Sequence, residues 1–119
     1  MKKAMIDEND ANFVVIHDGV GNRTEARLPS PAWKVLGLNA AVVILCDPDH
    51  PDATNRNMYG YSWDGVRLWQ IPEHWTIRKD WPYVGLGVQD GMVHATNWDG
   101  GVLLVDPASG TVVGTDFTK

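Results

Sequence analysis

The chain has one cysteine, Cys46, in 119 residues. That excludes an intrachain disulfide and suits a reducing compartment, so the expected location is the cytoplasm. The run leading to it, "AAVVILC", marks Cys46 as a small buried hydrophobe, and an apolar setting raises a thiol pKa, the wrong direction for a nucleophile. Long hydrophobic runs are missing too. No stretch approaches the ~20 apolar residues of a helical membrane span, and the N-terminus "MKKAMIDENDANF" turns acidic after two lysines, so neither a membrane anchor nor a signal peptide is expected. Basic clusters do not go beyond Lys2-Lys3 and Arg78-Lys79, against a net charge of −5. A nucleic-acid partner is therefore not expected, because phosphate neutralisation requires a basic face. If there is a macromolecular partner, the charge favours a basic one, although the same charge also serves simple solubility. Finally, no apolar pattern at i, i+3, i+4, i+7 with helix caps runs through the chain.

Catalytic and metal-binding patterns are also absent. There is no Gly-x-Ser-x-Gly elbow. Gly85, Gly87 and Gly91 miss the spacing of a dinucleotide loop, and no helix follows them. Asp47, Asp49 and Asp52 suggest a calcium loop, but counting from Asp47 the sixth and twelfth positions hold Asp52 and Met58, where such a loop needs Gly and Glu. His17, His50, His74 and His94 are scattered, and the one close pair, Cys46 with His50, has Pro48 between them, so no zinc site is expected. Asp64 and Asp99 are turn residues, whose carboxylates ordinarily serve their own backbone. No catalytic residue, cofactor or metal is expected, and the chain reads as a non-enzyme.

What the chain does have is tryptophan and turns. There are six Trp against three Tyr and two Phe. Asp-Gly occurs at Asp18-Gly19, Asp64-Gly65, Asp90-Gly91 and Asp99-Gly100. Between apolar runs this dipeptide signals a two-residue type I′ hairpin turn. On that reading each Trp-Asp-Gly ends an incoming strand with its Trp, so that Tyr59, Tyr61 and Trp63 share one face. Residues 83–118 then read as a meander of four antiparallel strands, closed by the turn Pro107-Ala108-Ser109-Gly110. Residues 12–17 and 24–29 make an N-terminal hairpin, residues 41–46 a central strand, and residues 31–38 a strand or one short helical turn. The expected fold is all-β: a single domain of about 8–10 strands in hairpins, folded as a twisted open sheet, sandwich or partial barrel. It divides into the hairpin 12–29 and two repeats, 40–71 and 83–118.

The stretches "NMYGYSWDGVRLWQI" (57–71) and "NWDGGVLLVDPASGTVV" (97–113) resemble the hairpins of quinoprotein-like β-propeller blades. The order of the motifs over residues 40–118 is also similar to that of a group of small, uncharacterised bacterial β-proteins. The resemblance implies two blade-like repeats. It does not imply a closed ring, which needs four or more four-stranded blades. Quinone chemistry does not carry over, since that cofactor needs the full ring, and the bacterial group supplies no activity to carry over.

Trp63, Trp69 and Trp98 belong to the hairpins and are expected in the core, where large aromatics support cross-strand packing. The connection 72–82 is different, because it sets Trp75 and Trp81 among His74, Arg78, Lys79 and Asp80. Trp and Arg in one loop have the composition of interface anchors, while the plainer reading is a loop that caps one end of the sheet. The expected binding residues are His74, Trp75, Arg78 and Trp81. The expected role is capture of another protein, as a bacterial immunity or inhibitor protein captures a toxin. The alternative is a small-ligand or carbohydrate-binding module that stacks exposed tryptophans on its ligand. Unpaired edge strands also make a homodimer a possible assembly.

Overall fold

Short alternating apolar stretches, each cut off by Gly, Pro, Asp or Ser, become eleven strands among the described residues. The computed structural model describes residues 1–74 and 81–117, without the side chains of 116 and 117. The strands are β1 (Lys3–Ile6), β2 (Phe13–His17), β3 (Arg23–Arg27), β4 (Ala32–Gly37), β5 (Val42–Cys46), β6 (Met58–Tyr61), β7 (Arg67–Gln70), β8 (Tyr83–Gln89), β9 (Met92–Asn97), β10 (Gly101–Val105) and β11 (Val112–Phe117). They form three antiparallel meanders with orders β1-β2-β3, β4-β5-β6-β7 and β8-β9-β10-β11. The four-strand zigzag expected from residue 83 onward is present, as is the hairpin of residues 12–29.

Two features go beyond the sequence reading. Lys3–Ile6 adds a strand to the N-terminal hairpin, so there are three sheets rather than a hairpin and two repeats. The segment around residues 31–38 is a strand and not a helical turn, which extends the middle sheet upstream to Ala32.

The middle sheet supplies both halves of the core. Side chains alternate across a strand, so Val43 and Leu45 of β5 face the last sheet while Val42, Ile44 and Cys46 face the first. One cluster joins Val43, Leu45, Met58, Trp69 and Ile71 to Tyr83, Leu86, Val93, Ala95, Leu103 and Val105. The other joins Val42, Ile44, Cys46, Tyr59 and Tyr61 to Val14, Ile16, Ala26 and Leu28. Every residue of β5 and β6 is buried. This is why "VVILC" shows no polar alternation: it has no wet face. Burying each such Val, Leu or Ile contributes about 1.5–3 kcal/mol.

Trp69 locks the middle sheet to the last one. Its indole lies on Gly60, where an added Cβ would overlap the ring, and beneath Gly110, where an added Cβ would come within 2.6 Å of it. Its Nε1–H donates to the carbonyl of Pro107 at 2.8 Å. The Asp106–Gly110 turn of the last sheet is thus closed over a side chain of β7.

The turns refine the expectation from Asp-Gly. Only Asp90-Gly91 is a two-residue turn with both φ angles positive, +50° and +79°, joining the paired residues Gln89 and Met92. In the two Trp-Asp-Gly sequences only the glycine is left-handed, with φ of +83° at Gly65 and +92° at Gly100. Gly65 N–H donates to the Ser62 carbonyl at 3.0 Å and Gly100 N–H to the Asn97 carbonyl at 2.9 Å. The turn therefore begins at Ser62 or Asn97, and the Trp is its second residue, not the last residue of a strand. Trp63 still packs against the cluster that holds Tyr59 and Tyr61.

Candidate functional site

Two of the five tryptophans with described structure point inward. Trp69 is core, and Trp63 is half-buried with its Nε1–H donating to the Leu38 carbonyl at 2.8 Å. The other three are exposed, at 54% for Trp33, 41% for Trp81 and 64% for Trp98. Trp98 is thus on the surface and not in the core, because its place in the turn carries it off the end of β9. All three exposed indoles line one open cleft of about 570 Å³. Pro48, Pro82 and Val84 complete its apolar wall, and Asp49 and Asn55 bring polar groups to it.

The backbone of each of these tryptophans is placed by a local device. Trp33 is the extra residue of a β-bulge. Ala32 pairs with Cys46 and Lys34 with Leu45, so Trp33 has no partner opposite and turns outward. The next residue, Lys34, donates from Nζ to the Leu86 carbonyl at 2.8 Å and ties β4 to β8. Trp98 and Trp81 are fastened to each other's neighbourhood. Trp98 N–H donates to the Pro82 carbonyl at 3.0 Å, and Asn97 Nδ2 donates to the Trp81 carbonyl at 2.8 Å. Asp99 spends Oδ1 on the Gly101 N–H at 2.8 Å, as expected of a turn aspartate.

Asn57, two residues after Asn55 of the lining, is fully buried. Its Nδ2 donates to the carbonyls of Cys46 and Tyr83, both at 2.9 Å, and its Oδ1 accepts the Tyr83 N–H at 2.8 Å. One amide thus joins the end of β5, the start of β6 and the start of β8. It also fixes the strand start that carries Trp81 and Pro82. Burial pushes the Tyr83 hydroxyl up to about 12, with the Asp99 carboxylate adding to the rise and the Asn97 hydrogen bond opposing it.

The electrostatics are one-sided. The lining contains a carboxylate, Asp49, and no Lys or Arg among the described residues. Asp49 is exposed, its backbone N–H is capped by Asp47 Oδ1 at 2.9 Å, and no ion pair among the described residues uses its carboxylate. Asp52 lies 3.9 Å from His50 Nδ1, and Arg56 lies 3.5 Å from Glu73.

Of the residues singled out in the sequence, Trp81 lies on the cleft. His74 is half-buried in the segment after β7 and is not part of the lining. Trp75 and Arg78 lie outside the described residues. Trp33 and Trp98 were not singled out as binding residues. The available signal was the excess of Trp itself, six against three Tyr and two Phe. Cys46 is buried, burial raises its thiol pKa, and its Sγ sits 3.5 Å from the Ser30 carbonyl. Among the described residues no three His, Cys, Asp or Glu side chains gather to hold a metal ion, and no helix is long and apolar enough to cross a membrane.

Comparison with solved structures gives a likeness of fold. The computationally designed Ika8 protein superposes with a TM-score of 0.61 at 13% identity, over 97% of this chain and 32% of that one. BamB from Moraxella catarrhalis matches with a TM-score of 0.49 at 17% identity, over 96% of this chain and 35% of that one. Glutaminyl cyclase from Myxococcus xanthus matches with a TM-score of 0.47 at 19% identity, over 97% of this chain and 52% of that one. The chain thus spans between about a third and a half of these proteins. No curated protein matches it. A family model matches residues 14–117, nearly the whole chain, and the protein therefore belongs to the family described as Domain of unknown function (DUF7957).

Proposed function

We propose that this domain acts by binding, and that the cleft between Trp33, Trp81 and Trp98 is where it captures a small ligand. One observation carries the reading. Every exposed tryptophan among the described residues, contributed by three separate segments, lines the same cleft. Exposed Trp is costly to solubility, and large aromatics scattered at random would not converge. The volume of about 570 Å³ lies in the range of small-molecule sites, which are mostly apolar with a few placed polar groups. The bulge at Trp33 and the cross-bonds between the 81–82 and 97–98 segments fix the backbone from which the three indoles project before any ligand arrives.

Capture of a protein partner is the second reading, and Trp81 favours it. That residue closes the Trp- and Arg-bearing 72–82 connection and also lies on the cleft. A protein inserting one side chain between the rings would use the same surface.

The test is a fragment titration followed by the indole N–H resonances. Ligands of the cleft move the signals of Trp33, Trp81 and Trp98 and leave those of Trp63 and Trp69 in place, because both of these are already hydrogen-bonded inside the molecule. A broad panel that moves none of the three removes the reading.

A further inference from the structure

We infer that the ligand of the Trp33–Trp81–Trp98 cleft is an organic cation with an apolar shell, of the alkylated ammonium class. The inference rests on the cleft being a capture site, and it adds the chemistry of what is captured.

The wall is built from three indoles, two prolines and Val84. The π-faces of indoles attract cations more strongly than those of other aromatic side chains. The protein already shows this pairing elsewhere. Lys2 Nζ stands 5.4 Å from the Trp63 ring centroid, and the Arg67 guanidinium 4.7 Å from that of Tyr59. Over the three cleft rings there is no such cation among the described residues. The one charged side chain of the lining, Asp49, is a carboxylate engaged in no ion pair among the described residues. It extends from a loop that also carries Asp47 and Asp52, in a chain of net charge −5. Wall and charge are both complementary to a cation.

The polar inventory separates this class from its rivals. A sugar brings several hydroxyls, and each needs a partner once it leaves water. Among the described lining residues the only acceptor side chains are Asp49 and Asn55, beside the three indole N–H donors, and Asn55 already interacts within the molecule, which is little for a ligand with many hydroxyls. A primary ammonium is a compact, strongly hydrated charge that gives up its water reluctantly. A fully alkylated (quaternary) ammonium head has no N–H donor to satisfy and presents methyl groups to the indoles and prolines. An anion would meet Asp49 and no compensating base among the described lining residues.

The test uses three probes on the intact protein: choline, its uncharged isostere 3,3-dimethyl-1-butanol, and glucose. Choline is expected to shift the Trp33, Trp81 and Trp98 indole signals and to bind about tenfold more tightly than the isostere, the contribution of a partly desolvated cation–π contact. Asp49→Asn is expected to weaken choline several-fold and leave the isostere unchanged, and added salt should act in the same direction as Asp49→Asn. Equal binding of choline and the isostere, or binding of glucose alone, overturns the cation assignment and leaves the cleft as a capture site. Silence of the three indole signals toward all three probes overturns the cation assignment. Silence extended to neutral and aromatic fragments as well removes the capture site with it.

Discussion

Ser62-Trp63-Asp64-Gly65 and Asn97-Trp98-Asp99-Gly100 make the same turn, with the same glycine in the left-handed region, yet their tryptophans end in opposite environments. Trp63 folds back over β4. Its ring covers Gly37, where an added Cβ would stand 2.9 Å from it, and its N–H reaches the Leu38 carbonyl. Trp98 stands in solvent beside Trp33 and Trp81. The residue before each Trp helps explain the difference. Ser62 Oγ accepts the Val66 N–H at 3.1 Å and stays within its own turn. Asn97 is buried and extends beyond its turn to the Trp81 carbonyl, which draws the 81–82 segment alongside. The motif determines how the chain reverses, and the neighbouring strands determine which way the indole faces.

The comparison can be broken by removing side chains in turn. The largest effect is expected at Trp69, the fully integrated indole. Trp69→Ala should cost about 3–5 kcal/mol in urea unfolding, because it empties the space between Gly60 and Gly110 and leaves the Pro107 carbonyl without its donor. A value below about 1 kcal/mol would show that the middle and last sheets do not depend on it. Asn57→Ala comes next, at about 2–4 kcal/mol. It strands the Cys46 and Tyr83 carbonyls and the Tyr83 N–H in the interior. The same variant should also broaden the Trp81 and Trp98 indole resonances, because Asn57 fastens Tyr83, the start of β8, directly after Trp81 and Pro82.

Alkaline pH tests the same junction without a mutation. All three tyrosines are pushed up, each chiefly by burial, and Tyr83 most, to about 12. A hydroxyl whose folded pKa exceeds its unfolded value near 10 keeps its proton longer in the folded state. The stability linked to it is therefore complete below about pH 10 and is lost as pH rises through 12. For Tyr83 alone this is on the order of 2–3 kcal/mol. The melting temperature should fall between pH 10 and 12, and Tyr83→Phe should flatten that fall. A tyrosinate band growing at pH 10 with the fold intact would contradict the burial of these groups.

The smallest effects separate the twin turns. Trp63→Ala should cost about 1–2 kcal/mol, through a lost hydrogen bond and half-buried packing. Trp98→Ala should stay within about 0.5 kcal/mol of the parent, as exposed positions do.

Much of the fold was legible because Asp-Gly, Asp-Pro and Ser-Gly mark chain reversals through local stereochemistry, and period-two burial names the faces. The four-strand meander from Tyr83 and the doubly buried "VVILC" both followed from that. The strand Lys3–Ile6 did not, since four residues beside an acidic stretch carry too little alternation, and its pairing with β2 is a tertiary choice. The cleft was legible only at Trp81. Trp33 reaches it through a bulge, and a bulge is a register event between β4 and β5 that leaves no mark in either strand alone. Trp98 was placed inward because Asp-Gly alone does not say whether a turn has two residues or begins one residue earlier.

The claim on which the functional account stands is that three indoles distant in sequence face solvent together at one site. Paramagnetic broadening of the indole N–H signals by a soluble relaxation agent measures this directly. The account predicts strong broadening for Trp33, Trp81 and Trp98 and protection for Trp63 and Trp69. Protection of Trp33 or Trp98 in the free protein would contradict it.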